Sequence, residues 1–199
     1  MMKNKRNNIS SSIGGLIVLI VILIYFSIKN NVNYFNEIKV YLPMLIVLII
    51  LYILFTISEI NKRKRYLNSG IYDIDNMSGI EFEEFLKYYF IENGYKVTET
   101  SKSHDFGADL ILKRNNYTIV VQAKRYKGKV GIKAVQEVIG AISYYGANKG
   151  MVITNSFYTR SAIELARASN IVLWDRENLI NELLKKKIFK KINSTKKTN

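Results

Sequence analysis

Two charge-free apolar runs dominate the start of the chain, residues 9–28 and 40–58, and neither breaks into alternating polar and apolar positions. The first centres on Leu16-Ile17-Val18-Leu19-Ile20-Val21-Ile22-Leu23-Ile24. At about 20 residues each and about 1.5 Å of rise per residue, both match a hydrocarbon core of about 30 Å. Apolarity on every side of a helix predicts a membrane span, since a surface helix keeps a polar face. Lys3, Lys5 and Arg6 precede the first run, but no small-residue cleavage site follows it, so it reads as an anchor and not a removed signal. The expectation is a two-helix transmembrane hairpin within residues 1–65.

Beyond a linker at 66–77 the pattern changes to amphipathic helices and short strands. Ser78-Gly79-Ile80-Glu81 is a capping box, and Phe82, Phe85, Leu86, Tyr89 and Phe90 follow at helical spacing before Asn93-Gly94 ends the helix. Glu83 falls on the border of that apolar face, while Glu84 points away from it. A strand over 95–100 precedes two more, opening at Asp109 and covering 119–124, joined through the turn residues Arg114-Asn115-Asn116. A helix over 133–145 presents Val135, Ile139 and Ile142 to the sheet. A strand at 150–154, a helix at 159–168, a strand at 171–174 and a helix at 177–187 complete the alternation. Helices between short apolar strands imply one domain, 78–187, whose sheet is covered on both sides. Residues 188–199 read as a basic, disordered tail.

Charge changes the picture by where it lies. The net +14 resides at the two ends, seven in residues 1–65 and seven in residues 185–199, while 66–184 balance. Basic residues before the hairpin and Lys62-Arg63-Lys64-Arg65 after it place both termini, and the domain, on the cytoplasmic side of a cell membrane. The domain's own basic cluster is Lys124, Arg125, Lys127, Lys129 and Lys133. With no Cys, disulfides and Cys-based zinc modules are excluded.

Candidate chemistry sits at the hairpin. Side chains alternate along a strand, so Gln122 and Lys124 share a face with Val120, and Ile119, Val121 and Ala123 take the other. Pairing around the Asn-Asn turn brings Asp109 to the end of the strand where that pair projects. An acid, an amide oxygen and an ammonium suit a hard cation and a water nucleophile. Asp109 and the Gln122 carbonyl would ligate Mg²⁺, with Lys124 holding the attacking water or the developing phosphorane charge.

These residues resemble the Mrr-like branch of the PD-(D/E)xK restriction endonuclease superfamily. The likeness rests on Asp105-Phe106-Gly107-Ala108-Asp109-Leu110, Val121-Gln122-Ala123-Lys124-Arg125-Tyr126, Val135-Gln136-Glu137 and Gly150-Met151-Val152-Ile153-Thr154-Asn155, in family order and spacing. The resemblance implies a restriction endonuclease-like α/β/α domain with a central mixed sheet, and a Mg²⁺-dependent endodeoxyribonuclease, with Mn²⁺ as a substitute. It further implies Asp109, Gln122 and the Ala123 carbonyl as metal ligands and Lys124 as catalytic. Phe82-Glu83 matches the pair whose Glu reaches the metal site. Arg125, Lys127, Lys129 and Lys133 become candidate DNA contacts. The expected partners are DNA, the lipid bilayer and, optionally, a second copy of the chain in a homodimer; the expected role is restriction of foreign or modified DNA. Gln122 stands where many members of the wider superfamily place Glu or Asp, which removes a charge from the metal site. Two other readings stay open here: a DNA-binding module that does not cut, and a membrane effector using the fold as an interaction domain.

Overall fold

The chain, described by a computed structural model for Tyr25 and residues 35–100 and 106–195, divides into two units, Met1–Ser58 and Glu59–Asn199. Most of the first apolar run, 9–28, lies outside the described residues, as do 196–199. The second run forms part of a continuous helix α1, Phe35–Asn68. Among the described residues it is the one helix long and apolar enough to cross a membrane, by length and composition, with an 18-residue stretch of Leu45–Asn68 reaching mean hydropathy 2.0. Leu48, Leu51, Leu54 and Phe55 are exposed along it. The expected hairpin of two spans is therefore represented here by one.

In the second unit, the expected linker at 66–77 is folded structure. Helix α1 continues to Asn68, a short helix α2 covers Ile71–Asp75, and Tyr66 and Ile74 are fully buried. Tyr66, Ile74 and Met77 supply an apolar edge that the neighbouring charges conceal in the sequence. Helix α3, Gly79–Glu92, begins with the predicted capping box: Ser78 Oγ accepts from the Glu81 N–H at 3.3 Å, and the Glu81 carboxylate accepts from the Ser78 N–H at 2.9 Å. The outer side of α3, where Glu84 points away from the apolar face as expected, is covered by the end of α1. Lys62 pairs with Glu84 at 2.5 Å, the Tyr66 hydroxyl donates to Glu84 at 3.0 Å, and the Tyr66 and Tyr88 rings stack at 5.8 Å. Arg63 and Arg65 pair with Glu92 and Glu81. Three of the four basic residues expected to flank a membrane thus fasten α1 to α3.

The five strands are β1 Lys96–Glu99, β2 Leu110–Arg114, β3 Tyr117–Lys124, β4 Lys149–Thr154 and β5 Val172–Trp174, in sequential order across one mixed sheet. β1, β2 and β3 are antiparallel, and β3, β4 and β5 parallel. The β2–β3 turn has two residues, with Asn115 at φ 55°, the left-handed conformation such turns require. The crossovers are α4, Ile132–Tyr145, and α5, Arg160–Ala168; α6 covers Arg176–Thr195. Leu179 and Leu183 of α6 join α3 over Leu110, Leu112, Val121 and Ile153 on one face of the sheet. Helices α4 and α5 cover Val120 and Val152 on the other. α6 continues into the segment read as a disordered tail, where no Gly or Pro interrupts it before Thr195.

Candidate active site

The hairpin register sets the site. Leu110 pairs with Val121, and one residue earlier the Asp109 N–H donates to the Val121 carbonyl at 2.9 Å. This holds Asp109 at the mouth of the ladder, half-buried. Its Oδ2 accepts from Gln122 Nε2 at 2.8 Å and from the Ala123 N–H at 2.6 Å. Residues on an antiparallel strand direct their N–H and C=O to the same edge, so the Ala123 carbonyl also lies on the Asp109 side.

Gln122 is 4% exposed. A carboxylate only accepts, so the NH₂ of this amide must face Asp109, which fixes the orientation of the carbonyl. That carbonyl, Oε1, is buried with no hydrogen-bond partner. Leaving such an acceptor unsatisfied costs about 1–3 kcal/mol, which an oxygen-seeking cation would relieve. Carboxylate, amide and peptide oxygens are the donors a hard divalent ion takes, so the residues present fit Mg²⁺ or Mn²⁺. Among the described residues there is no cluster of three or more His, Cys, Asp or Glu, so any site would be of this mixed kind.

Lys124 projects on the same face as Gln122 and Val120, toward α4, where its Nζ meets Glu137 Oε2 at 2.9 Å. Glu83, by contrast, is carried by α3 on the opposite face of the sheet and is half-buried. Hydrogen bonds thus join Asp109 to Gln122 and Ala123, Lys124 shares their strand and the face of Gln122, and Glu83 lies on α3 across the sheet.

The basic cluster separates. Arg125, one of the candidate DNA contacts, donates to the main-chain carbonyl of Asp75 in α2. Asp75 itself is gripped by Arg176 through two bonds of 2.7 Å and by Asn155 Nδ2 at 2.9 Å, and Asn155 Oδ1 accepts from the Tyr126 N–H at 2.8 Å. The Arg176 guanidinium holds the Asp75 carboxyl below its ordinary range, against the opposing effect of burial. Lys127, Lys129 and Lys133 are exposed. Lys133 lines a cleft of about 140 Å³ with Lys124, Tyr126, Val130 and Glu137.

Two features escaped the sequence reading. Glu137 lay inside the quoted Val135-Gln136-Glu137 run, but nothing in the helical period shows what its carboxylate meets. Asp75 lay in the supposed linker, and its partner Arg176 is 101 residues away.

Comparison with solved structures returns a protein of unknown function, AF1548, at 14% identity and TM-score 0.41, with 47% of this chain and 55% of that one covered. It also returns MspJI restriction endonuclease in complex with a 27-mer oligonucleotide, at 19% identity and TM-score 0.38, covering 52% and 26%. A third is the DNA modification-dependent restriction endonuclease AspBHI, at 21% and 0.36, covering 45% and 26%. The chain therefore spans about half the length of the first and a quarter of the other two. No curated protein matches it. The family model Mrr_cat, described as restriction endonuclease, matches residues 74–183, more than half of the sequence, and the chain belongs to that family.

Proposed function

We propose that this chain is a membrane-tethered, metal-dependent DNA endonuclease that hydrolyses phosphodiester bonds in restriction of foreign or modified DNA. The observation that carries the reading is the buried, unsatisfied Gln122 carbonyl beside Asp109, on the same strand and face as Lys124. Asp109, Gln122 Oε1 and the Ala123 carbonyl are the residues that would hold Mg²⁺ or Mn²⁺. The ion, when bound, supplies Lewis-acid stabilisation of charge on the scissile phosphate. Lys124 donates hydrogen bonds to the attacking water and to the phosphoryl oxygen that gains charge, and Asp109 orients Gln122 and the end of β3. Glu83 is assigned a further water or a second cation, on the match of Phe82-Glu83 to the family pattern. The exposed Lys127, Lys129 and Lys133 hold DNA phosphates. Tethering is supported by the apolar helix Leu45–Asn68, and a cytoplasmic domain by the basic residues at both ends of the apolar region.

The test is cleavage of supercoiled plasmid by the full chain in mild detergent, with Mg²⁺, Mn²⁺ or EDTA, beside Asp109→Ala. Nicked and linear DNA should form with either cation and disappear with EDTA or the substitution. Intact plasmid in every arm, with DNA binding retained, would replace the nuclease with a capture module.

A further inference from the structure

Glu137 touches both halves of the site. Its carboxylate meets Lys124 Nζ at 2.9 Å, with the two side chains only 28% and 26% exposed. Its main chain lies against Gly107, which sits at φ +86° two residues before Asp109. A Cβ at Gly107 would come within 2.9 Å of Glu137 Cα and closer still to its carbonyl, so only glycine lets the Asp109 loop rest there. Helix α4 is itself fixed by Ala134, Val138 and Ala141 packed in the core, which leaves Glu137 little room to move.

We propose that Glu137 is the positioning residue that aligns Lys124 with Asp109, its carboxylate steering the ammonium and its backbone seating the loop. The inference rests on the nuclease reading. A lysine is a charge on a flexible four-carbon stem. Without a fixed partner its Nζ samples many positions, few of them productive. Loss of the carboxylate should therefore lower kcat and leave KM for DNA unchanged.

The experiment is a double-substitution cycle in the full-length protein, reading kcat and KM on plasmid for wild type, Glu137→Ala, Lys124→Ala and the pair. Glu137→Ala should reduce kcat roughly ten- to a hundredfold, the scale of a misplaced catalytic group. Added to Lys124→Ala, it should cost nothing more. A full, independent loss in the Lys124→Ala background would overturn the proposal, because Glu137 would then act through general stability. A wild-type chain that cuts no DNA under any cation would sink the nuclease reading by itself. The contact is then read by acetylation of Lys124, followed by mass spectrometry. Glu137→Ala should speed labelling at Lys124 several-fold relative to Lys133, and an unchanged ratio would refute a steering role.

Discussion

The two faces of the sheet are packed with different materials. On one, α3 brings Phe82, Phe85, Tyr89 and Phe90 into a slab that continues into Trp174: Phe82 and Phe85 stack at 6.2 Å, Phe90 and Trp174 at 6.0 Å, and Tyr89 meets Trp174 edge-on at 6.0 Å. On the other, α4 and α5 pack with Ala134, Val135, Val138, Ala141, Ala162 and Ala166. Gln122 and Lys124 emerge on the second face, and Glu137 comes from the helix above it. Large rings hold a helix off a sheet, whereas small side chains let it settle until its own carboxylate reaches a strand lysine. Gly150 marks the closeness: a Cβ there would run into Val138 Cγ1 and approach Ile142 Cδ1 to 2.8 Å and Ile171 Cδ1 to 3.1 Å. The aromatic face thus buries the larger side chains, and the small-residue face brings Glu137 to Lys124.

The division is broken most directly by one substitution on each side. Phe85→Ala, at a site 1% exposed, should cost about 3–5 kcal/mol in urea unfolding, the largest stability effect expected here, with cleavage per folded molecule unchanged. Gly150→Ala should cost less, about 1–3 kcal/mol, because Val138 is stiff at χ1 and α4 must shift to admit the methyl. Yet it should lower kcat, since that shift moves Glu137 and with it Lys124. If Gly150→Ala destabilises and kcat stays at the wild-type value, close approach of α4 does not set the site.

The seam at the ends of β3 and β4 offers a test through acid. Asp75 of α2 is joined to Asn155 after β4 and to Arg176 at the start of α6, and Arg125 holds its carbonyl. Its folded value lies below the ordinary 3.8, so the stabilisation is complete above that pH and fades as pH falls through the depressed value. Asp75→Asn should then cost about 1–2 kcal/mol near neutrality, a modest figure because the carboxylate is 31% exposed and partly screened. The gap to wild type should narrow at pH 3. A gap of equal size at both pH values would mean that packing of α2, and not the ion pair, is what the substitution removes.

How much of this was legible in the sequence depends on the range of the contact. The capping box at Ser78, the Asn turn between β2 and β3 and the shared face of Gln122 and Lys124 are written within a few residues, and the structure has all three, with Arg114 belonging to β2 and not to the turn. The same period placed Glu84 correctly on the outer side of α3, but could not show that α1 covers it. In the run Lys62-Arg63-Lys64-Arg65, the pairing of three residues with Glu84, Glu92 and Glu81 leaves no local trace. Glu137 was hidden for a related reason: helical spacing fixes which way its Cα faces, while its partner Lys124 ends the preceding strand β3, and the period does not show how the loop between them folds α4 onto the sheet.

The smallest expected effect separates two neighbours that the sequence treats alike. Arg125 and Lys127 belong to one basic run, yet Arg125 is spent on the Asp75 carbonyl while Lys127 is exposed beside it. Lys127→Ala removes no internal contact that the fold needs and should alter stability by less than about 0.5 kcal/mol. If Lys127 meets a phosphate, the loss appears elsewhere. One fewer counterion is released on binding, so the slope of log affinity against log salt should fall by about 0.9 for duplex DNA. Arg125→Ala should do the reverse, lowering the unfolding midpoint with the slope unchanged. Fluorescence anisotropy of labelled duplex, bound by full-length chains that carry Asp109→Ala to prevent cutting, measures both slopes over a salt series. Equal slopes for Lys127→Ala and its parent would make Lys127 a solvated charge and shift the phosphate contacts to Lys129 and to Lys133, which lines the cleft beside Lys124. A reduced slope for Arg125→Ala would mean that the Asp75 contact opens when DNA arrives.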